Sequence, residues 1–419
     1  MNRTGRVSTL FLLSGAIFLA ILLSSCSSPE QNTAILWTNQ PEFAAYVESF
    51  NAHQSRYRVM LVYKANPAAA LSTSNMQPDV VVGEYLRSQR VRRYFSSLNG
   101  LMAPDRIDPA QFYPGALKAT AWGGDQLFLP VSFDLPAIVF LKGAIPADKD
   151  TFFVSLAELG ELAKGYNELA DGAFTRVGFS PDWSGDFLYT YASLSGANFR
   201  ENGSGNPTWD EPVLQTVLST VHHWIGTTNS SMALDTAFRE RYVYEPPYVL
   251  ITGGRIEFAY MNAASYFQMA ESKRQKLGFR WIAQNERVPV LDNLLLAGIP
   301  NHAQHRGAAK AFLLWFFQEK TLAKLLDESQ IKQLTSFGIS NGFSTFPAIN
   351  DREFPKHYPS LLGHIPKNFD LLFPPALPKN WQLMQEEVVR PWLQQAASTD
   401  QPTPALAEQI KQWLLQQGD

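Results

Sequence analysis

The sequence predicts an α/β protein of two lobes, each a mainly parallel sheet flanked by helices, with a ligand cleft between them. Three observations carry that prediction. Residues 34–83 alternate strand, helix, strand, helix, strand, a pattern that implies right-handed crossovers and a mainly parallel sheet. The chain has 419 residues, 45% of them hydrophobic and 13% aromatic, enough to bury a large core and to form two domains. Finally, the apolar stretch Leu127–Phe140 is broken by Pro130, Pro136 and a single carboxylate, Asp134. Proline lacks the backbone N–H that a central ladder needs, so each fits a strand edge, a strand start or a bend. The stretch therefore reads as a crossing from one lobe to the other.

The N-terminus comes first. Arg3 and Arg6 precede the apolar run Leu10–Leu23, which Ser14-Gly15 interrupts, and small residues follow before Cys26. A bilayer span needs about 20 continuous apolar residues, so residues 1–25 read as a secretory signal rather than a membrane helix. Leu23-Ser24-Ser25-Cys26 is similar to a bacterial lipobox, in which the cysteine is lipidated, and residues 26–33 read as a short tether. Cys26 is the only cysteine, so no disulfide within the chain and no thiol chemistry in its body is expected. The alternative is an uncleaved anchor helix; either way the body is exported and tethered. The formal charge of −3 gives no reason to expect a nucleic-acid partner.

Ala34–Thr38 reads as a buried strand, and Pro41–Asn51 as a helix with Phe43, Tyr46, Val47 and Phe50 on one face. Tyr57, Val59, Leu61 and Tyr63 alternate as in a second strand, and Pro78–Gly83 reads as a third. Ligands of such sheets sit beyond the carboxyl ends of the strands. Here those ends are Trp37-Thr38-Asn39 and Gly83-Glu84-Tyr85, each an aromatic ring beside polar groups. Trp37 and Tyr85 either stack on a solute or pack under loops. Arg87, Arg90, Arg92 and Arg93 follow on a helix, read first as a solvated face and second as a docking surface. Asp134 must either face a wet cleft or cap backbone N–H groups of a hinge strand, because an unpaired buried carboxylate is costly. Farther on, Trp183 stands where the loop Phe179–Asp186 meets a helix and is a stacking candidate. Helices are predicted at Glu211–Ile225, Gly307–Leu326, Trp381–Ala396 and Pro404–Gln417, and strands at Ile256–Met261 and Leu291–Ile299.

Catalytic motifs find little support. Gly338-Ile339-Ser340-Asn341-Gly342 has nucleophile-elbow spacing but lacks the strand before and the helix after that hold such a serine in its tight turn. His302 with His305, and His222 with His223, lack the three or four converging ligands of a zinc site. There is no phosphate loop and no GxGxxG, so no cofactor, metal or enzymatic activity is expected.

Several segments together resemble family 1 extracellular solute-binding proteins, the maltose-binding-like receptors of ABC importers. They are the lipobox at Cys26, the first strand–helix unit Ile35–Phe50, Pro78–Val82, the crossing at Leu127–Phe140, Gly253–Asn262, and Gly298-Ile299 followed by the helix Ala308–Leu326. The resemblance implies a type II-like periplasmic-binding-protein fold with crossings near 130–140, 280–291 and 338–346. It assigns 34–130 plus about 285–338 to the N-terminal lobe, and about 137–284 plus 343–419 to the C-terminal lobe. It also implies a monomeric, lipid-anchored periplasmic receptor that passes a carbohydrate to a permease. Carried over by position, the solute-binding residues are Trp37, Asn39, Glu84, Tyr85, Asp134, Trp183, Asn262, Tyr266 and Trp381. The chain departs from the family pattern at Phe140-Leu141-Lys142 and at Ala264-Ser265-Tyr266. A non-sugar solute such as a peptide, amino acid or polyamine, or a surface lipoprotein without transport, is the alternative.

Overall fold

The computed structural model describes residues 32–145, 152–332, 335–367, 370–399 and 403–417. The predicted signal and the lipobox Cys26 lie outside the described residues. Two sheets organise the molecule. Their strands, in chain order, are β1 (Thr33–Thr38), β2 (Arg58–Tyr63), β3 (Val80–Gly83), β4 (Leu129–Phe133), β5 (Pro136–Leu141), β6 (Phe153–Val154), β7 (Phe258–Asn262), β8 (Leu277–Ile282), β9 (Leu295–Gly298) and β10 (Phe343–Ser344).

The first lobe's sheet has the order β10-β4-β9-β3-β1-β2. The predicted strand–helix alternation yields β1 paired in parallel with both β2 and β3. β9 returns antiparallel between β3 and β4, and β10 is antiparallel to β4. β3 is buried along its whole length, as a strand covered on both faces must be. The apolar stripe of the helix Phe43–His53 packs on the predicted helix near residue 312: Phe43 stacks on Phe316 at 5.6 Å, and Phe50 meets Phe312 edge-on at 5.3 Å.

The second lobe's sheet, β7-β5-β8-β6, is mixed, and so is the first, where three of five pairings are antiparallel, so neither is mainly parallel. β5 enters straight from the crossing and lies antiparallel to β7 and β8 on either side, while β8 and β6 are parallel. Both prolines of the crossing sit where their missing donors are tolerated. Pro130 lies at a register shift opposite Leu296, and Pro136 is the first residue of β5.

The second crossing runs from the end of β8 at Ile282 to the start of β9 at Leu295. The third is not near 338–346. Gly338 and Gly342 bridge one another, with Gly338, Ser340 and Asn341 at positive φ, so this segment is a tight reversal inside the first lobe. Next, β10 pairs with β4, and Phe346 packs edge-on against Phe112 at 4.5 Å. Residues 343–352, expected in the C-terminal lobe, therefore pack with the first, Arg352 pairing with Glu319, and Tyr358 beyond them packs edge-on against Phe267 of the second. The chain leaves later. Trp281 Nε1 donates to the His364 carbonyl, Leu371-Leu372 pair in parallel with Val288-Pro289, and Arg87 donates to the carbonyls of Pro374 and Pro375.

The second lobe is completed by helices α1 (Gly185–Leu194), α2 (Glu211–Thr228), α3 (Trp381–Met384 through Gln385–Val389 to Arg390–Ser398) and α4 (Leu406–Gln417). Gln385–Val389 is a π-helical turn, which relieves the clash and missing N–H that Pro391 brings to an unbroken helix. Gly185 lets α1 approach α3 closely, since a Cβ there would stand 2.8 Å from Arg390 Cβ. Among the described residues no helix is long and apolar enough to cross a membrane.

Candidate functional site

A cleft of about 480 Å³ opens where the lobes and the crossings meet. The first lobe contributes Glu84 and Tyr85, the residues that follow β3. From the second lobe come Ser184, Asp186, Tyr189 and Thr190 at α1, Tyr260, Met261, Asn262 and Ser265 around the end of β7, and Gln382, Gln385, Glu386 and Arg390 on α3. The second crossing supplies Leu291, Asp292 and Asn293.

Local chemistry sets each contributor. Tyr85 has φ 57°, a left-handed conformation that costs a non-glycine residue about 1–2 kcal/mol. That turn aims its ring out of the first lobe, so that it packs against the core cluster of the second. Ser184 and Asn262 cap helices, their side chains accepting from Phe187 N and Ser265 N, which pins both polar groups at the wall. The π-turn presents Gln385 and Glu386 on the cleft side of α3.

Asp292 is the hub. Its Oδ2 accepts from the Tyr189 hydroxyl in a short hydrogen bond, from Trp381 Nε1 at 3.1 Å and from Gln385 Nε2 at 3.5 Å. Burial pushes its carboxyl above the usual range, while the donors and the guanidinium groups of Arg87 and Arg390 pull it back. Asp186 pairs with Arg390 at 2.8 Å, and Arg390 Nη2 also donates to Gln385 Oε1. Burial, and then the nearby Glu386 charge, raise the Glu84 carboxyl to about 7. Tyr260 and Thr190 share a hydroxyl–hydroxyl hydrogen bond at 3.2 Å.

Of the nine predicted binding residues, Glu84, Tyr85 and Asn262 line the cleft. The other six do not. Trp37 is fully buried under Lys64, whose Nζ lies 4.7 Å from the ring centroid; as the last apolar residue of a strand covered on both faces, it belongs to the core. Asn39 accepts from the adjacent Gln40 side chain outside the cleft. Trp183 stacks on Phe238 at 5.5 Å and donates to Asp235, because the loop folds inward before α1. Tyr266 is held by Phe267 and Phe279, with its hydroxyl on the Leu277 carbonyl. Trp381 is fully buried and reaches the site only through Asp292.

Asp134, 1% exposed, caps the hinge rather than facing the cleft. Its Oδ1 accepts from Leu135 N and Ala264 N, and its Oδ2 from Asn262 Nδ2 at 2.7 Å. The arginine row is likewise not a solvated face throughout. Arg87 is spent on three backbone carbonyls, and Arg92 pairs with Glu201 at 3.0 Å and lies 3.5 Å over the Trp122 ring, whereas Arg90 and Arg93 are exposed. Gln89 N also donates to Glu201, so this segment joins the lobes at one rim.

Sequence reasoning missed Tyr189, Asp186, Asp292, Tyr260 and Arg390. Asp292 had a readable signal, since it stands between the apolar runs Val288–Leu291 and Leu294–Ile299 just as Asp134 stands between its own. Ser340 Oγ is buried with no hydrogen-bond partner in the Gly338–Gly342 reversal, which lacks the strand-to-helix setting of a nucleophile elbow. Among the described residues no group of three or more His, Cys, Asp or Glu is placed to hold a metal ion.

No protein-family model matches the chain. No curated protein matches it either. Solved structures do. An ABC substrate-binding protein from Listeria monocytogenes, in complex with cycloalternan, superposes with a TM-score of 0.62 at 14% identity, over 92% of this chain and 99% of that one. The extracellular solute-binding protein from Staphylococcus aureus in complex with maltose gives 0.60 at 16% identity, over 93% and 99%. A cyclic α-maltosyl-1,6-maltose binding protein from Arthrobacter globiformis gives 0.57 at 15% identity, over 90% and 96%. The chain thus has the two-lobed fold of the periplasmic solute-binding proteins.

Proposed function

We propose that the protein is a lipid-anchored receptor of an ABC importer that closes its two lobes on a carbohydrate and presents it to a membrane permease. The observation that carries this reading is the cleft of about 480 Å³ at the meeting of lobes and crossings, lined by three tyrosines and a set of carboxylates and amides. Rings suit the C–H faces of a sugar, and carboxylates and amides suit its hydroxyls. The superposed proteins whose complexes hold maltose or cycloalternan give the same reading from the side of the fold. Tyr85, Tyr189 and Tyr260 supply the rings, and Glu84, Asn262, Asp292, Asn293 and Gln385 the polar contacts. Because Tyr85 and Glu84 come from one lobe and the rest from the other lobe and crossing, a solute touching both sides favours the closed arrangement.

Isothermal titration calorimetry of the purified chain against a panel of mono- and oligosaccharides tests the reading. Saturable heat with at least one sugar, lost in Tyr189→Ala, is the expected result; silence across all sugars with heat from peptides or amino acids overturns it. Lipidation is tested separately. Radiolabelled palmitate should enter the wild type and not Cys26→Ser, and the variant should leave the membrane fraction; unchanged labelling refutes the anchor.

A further inference from the structure

The cleft is unevenly charged. Four carboxylates line it, Glu84, Asp186, Asp292 and Glu386, against one cation, Arg390. Two of the four are balanced within the protein. Asp186 is ion-paired to Arg390, and Asp292 is enclosed by the Tyr189 and Trp381 donors with Arg87 and Arg390 as its nearest cations. The remaining two are not. Glu84 has no hydrogen bond or ion pair among the described residues, and Glu386 accepts only from Gln382 Nε2 at 3.2 Å on its own helix.

These two carboxylates stand on opposite lobes, Glu84 after β3 and Glu386 on α3. Closing the lobes brings like charges together, which opposes closure unless something between them supplies positive charge. A neutral hydroxyl can donate to either oxygen but leaves that repulsion in place. A protonated amine converts it into two attractions that exist only when the lobes are shut, and such differential contacts are what let a ligand select the closed state.

Resting on the carbohydrate reading above, we infer that the preferred solute is a cationic sugar, an amino sugar or aminocyclitol whose ammonium sits between Glu84 and Glu386. The perturbed Glu84 carboxyl fits this placement. With its pKa raised to about 7, it is partly protonated in the empty cleft at neutral pH, so an arriving ammonium drives off a proton. The other ionisable groups facing it are Glu386, Tyr85, Asp292 and Arg390: burial raises the Tyr85 phenol and the Asp292 carboxyl, the latter held by the Tyr189 and Trp381 donors, and Arg390 is paired with Asp186.

The test is calorimetry on the purified full-length chain with matched probes: glucosamine, galactosamine, mannosamine and chitosan oligosaccharides against their hydroxyl and N-acetyl counterparts, with spermidine as an amine lacking a sugar ring. The expected result is at least about tenfold tighter binding of an amine over its hydroxyl and N-acetyl partners at pH 7, which is about 1.4 kcal/mol. That preference should shrink at high salt, and binding should release protons, read from titrations in buffers of different ionisation heat. Glu84→Gln and Glu386→Gln should each reduce the amine-to-hydroxyl affinity ratio, with cooperative thermal melting and an unchanged circular dichroism spectrum certifying the fold. Neutral sugars binding as tightly as amines, or binding without proton release differing between the two, overturns the inference and leaves the sugar receptor standing. No sugar of either kind binding, or spermidine alone binding, overturns the carbohydrate reading itself.

Discussion

Substituting Asp134 by Asn isolates the energetics of the hinge. The carboxylate is buried where the first crossing begins, and two opposing effects act on it. Burial disfavours its charge, while donors from Leu135, Ala264, Ala263 and Asn262 favour it, and the balance leaves the pKa raised from 3.8 to about 7. A folded state that holds a proton more tightly than the unfolded chain gains stability from it in acid. That contribution is fully present below about pH 4 and is lost as the pH rises through about 7. At about 1.36 kcal/mol for each pKa step, the whole swing is about 4 kcal/mol. In the Asn variant the side-chain oxygen can still accept from Leu135 N and Ala264 N, which share Oδ1, but the bond from Asn262 Nδ2 to Oδ2 is lost, costing about 1 kcal/mol at every pH. The variant should therefore be less stable than wild type by about 1 kcal/mol at pH 4 and more stable by about 3 kcal/mol at pH 8. Urea denaturation from pH 4 to 8 reads this as a difference curve, in which titrating groups common to both proteins cancel. A flat difference, or a wild type that gains on the variant as pH rises, would show that the donors outweigh burial and that Asp134 is ionised throughout.

Three further outcomes follow from the geometry. Tyr189→Phe deletes the hydroxyl that donates to Asp292 and should weaken solute binding about tenfold, measured by calorimetry, with the buried carboxyl short of one donor. Trp37→Phe should leave affinity within about twofold while altering the melting temperature, because the indole is a core group whose N–H is buried without a partner; a tenfold affinity loss would restore Trp37 to the site. Glu201→Gln weakens the rim contact with Arg92 and Gln89, and small-angle scattering should report a more open average shape with affinity lowered about threefold; an unchanged scattering curve refutes the latch.

Sequence periodicity carried the fold further than the site. The alternation of residues 34–83 implied β1, β2, β3 and their parallel pairing, because a crossover helix has only one handed way to return. The proline-broken stretch Leu127–Phe140 was legible as a crossing because proline's missing donor confines it to strand starts and irregularities, where Pro136 and Pro130 indeed lie. The crossing near 338–346 was carried over from the family resemblance rather than read from the residues, and there Gly338, Ser340 and Asn341 at positive φ form a tight reversal instead. For the site, sequence proximity to a strand end selected Glu84 and Tyr85, which line the cleft, but also Trp37, whose side chain alternates inward one residue too early. Asp186, Tyr189 and Arg390 converge only through the packing of α1 against α3, and no local spacing encodes that meeting.

The π-helical turn in α3 bears on how readily this cleft could acquire a new ligand. A π-turn holds one residue more than the α-helical turn it replaces, so deleting a single residue within Gln385–Val389 would restore α-helical winding. Because the wide turn absorbs the extra residue, the two halves of α3 would keep their phase, with Trp381 still beside Asp292 and Arg390 still beside Asp186. What would change is the turn that presents Gln385 and Glu386 to the cleft. One codon lost here would thus alter the polar lining of the cleft in a single step, without disturbing either sheet.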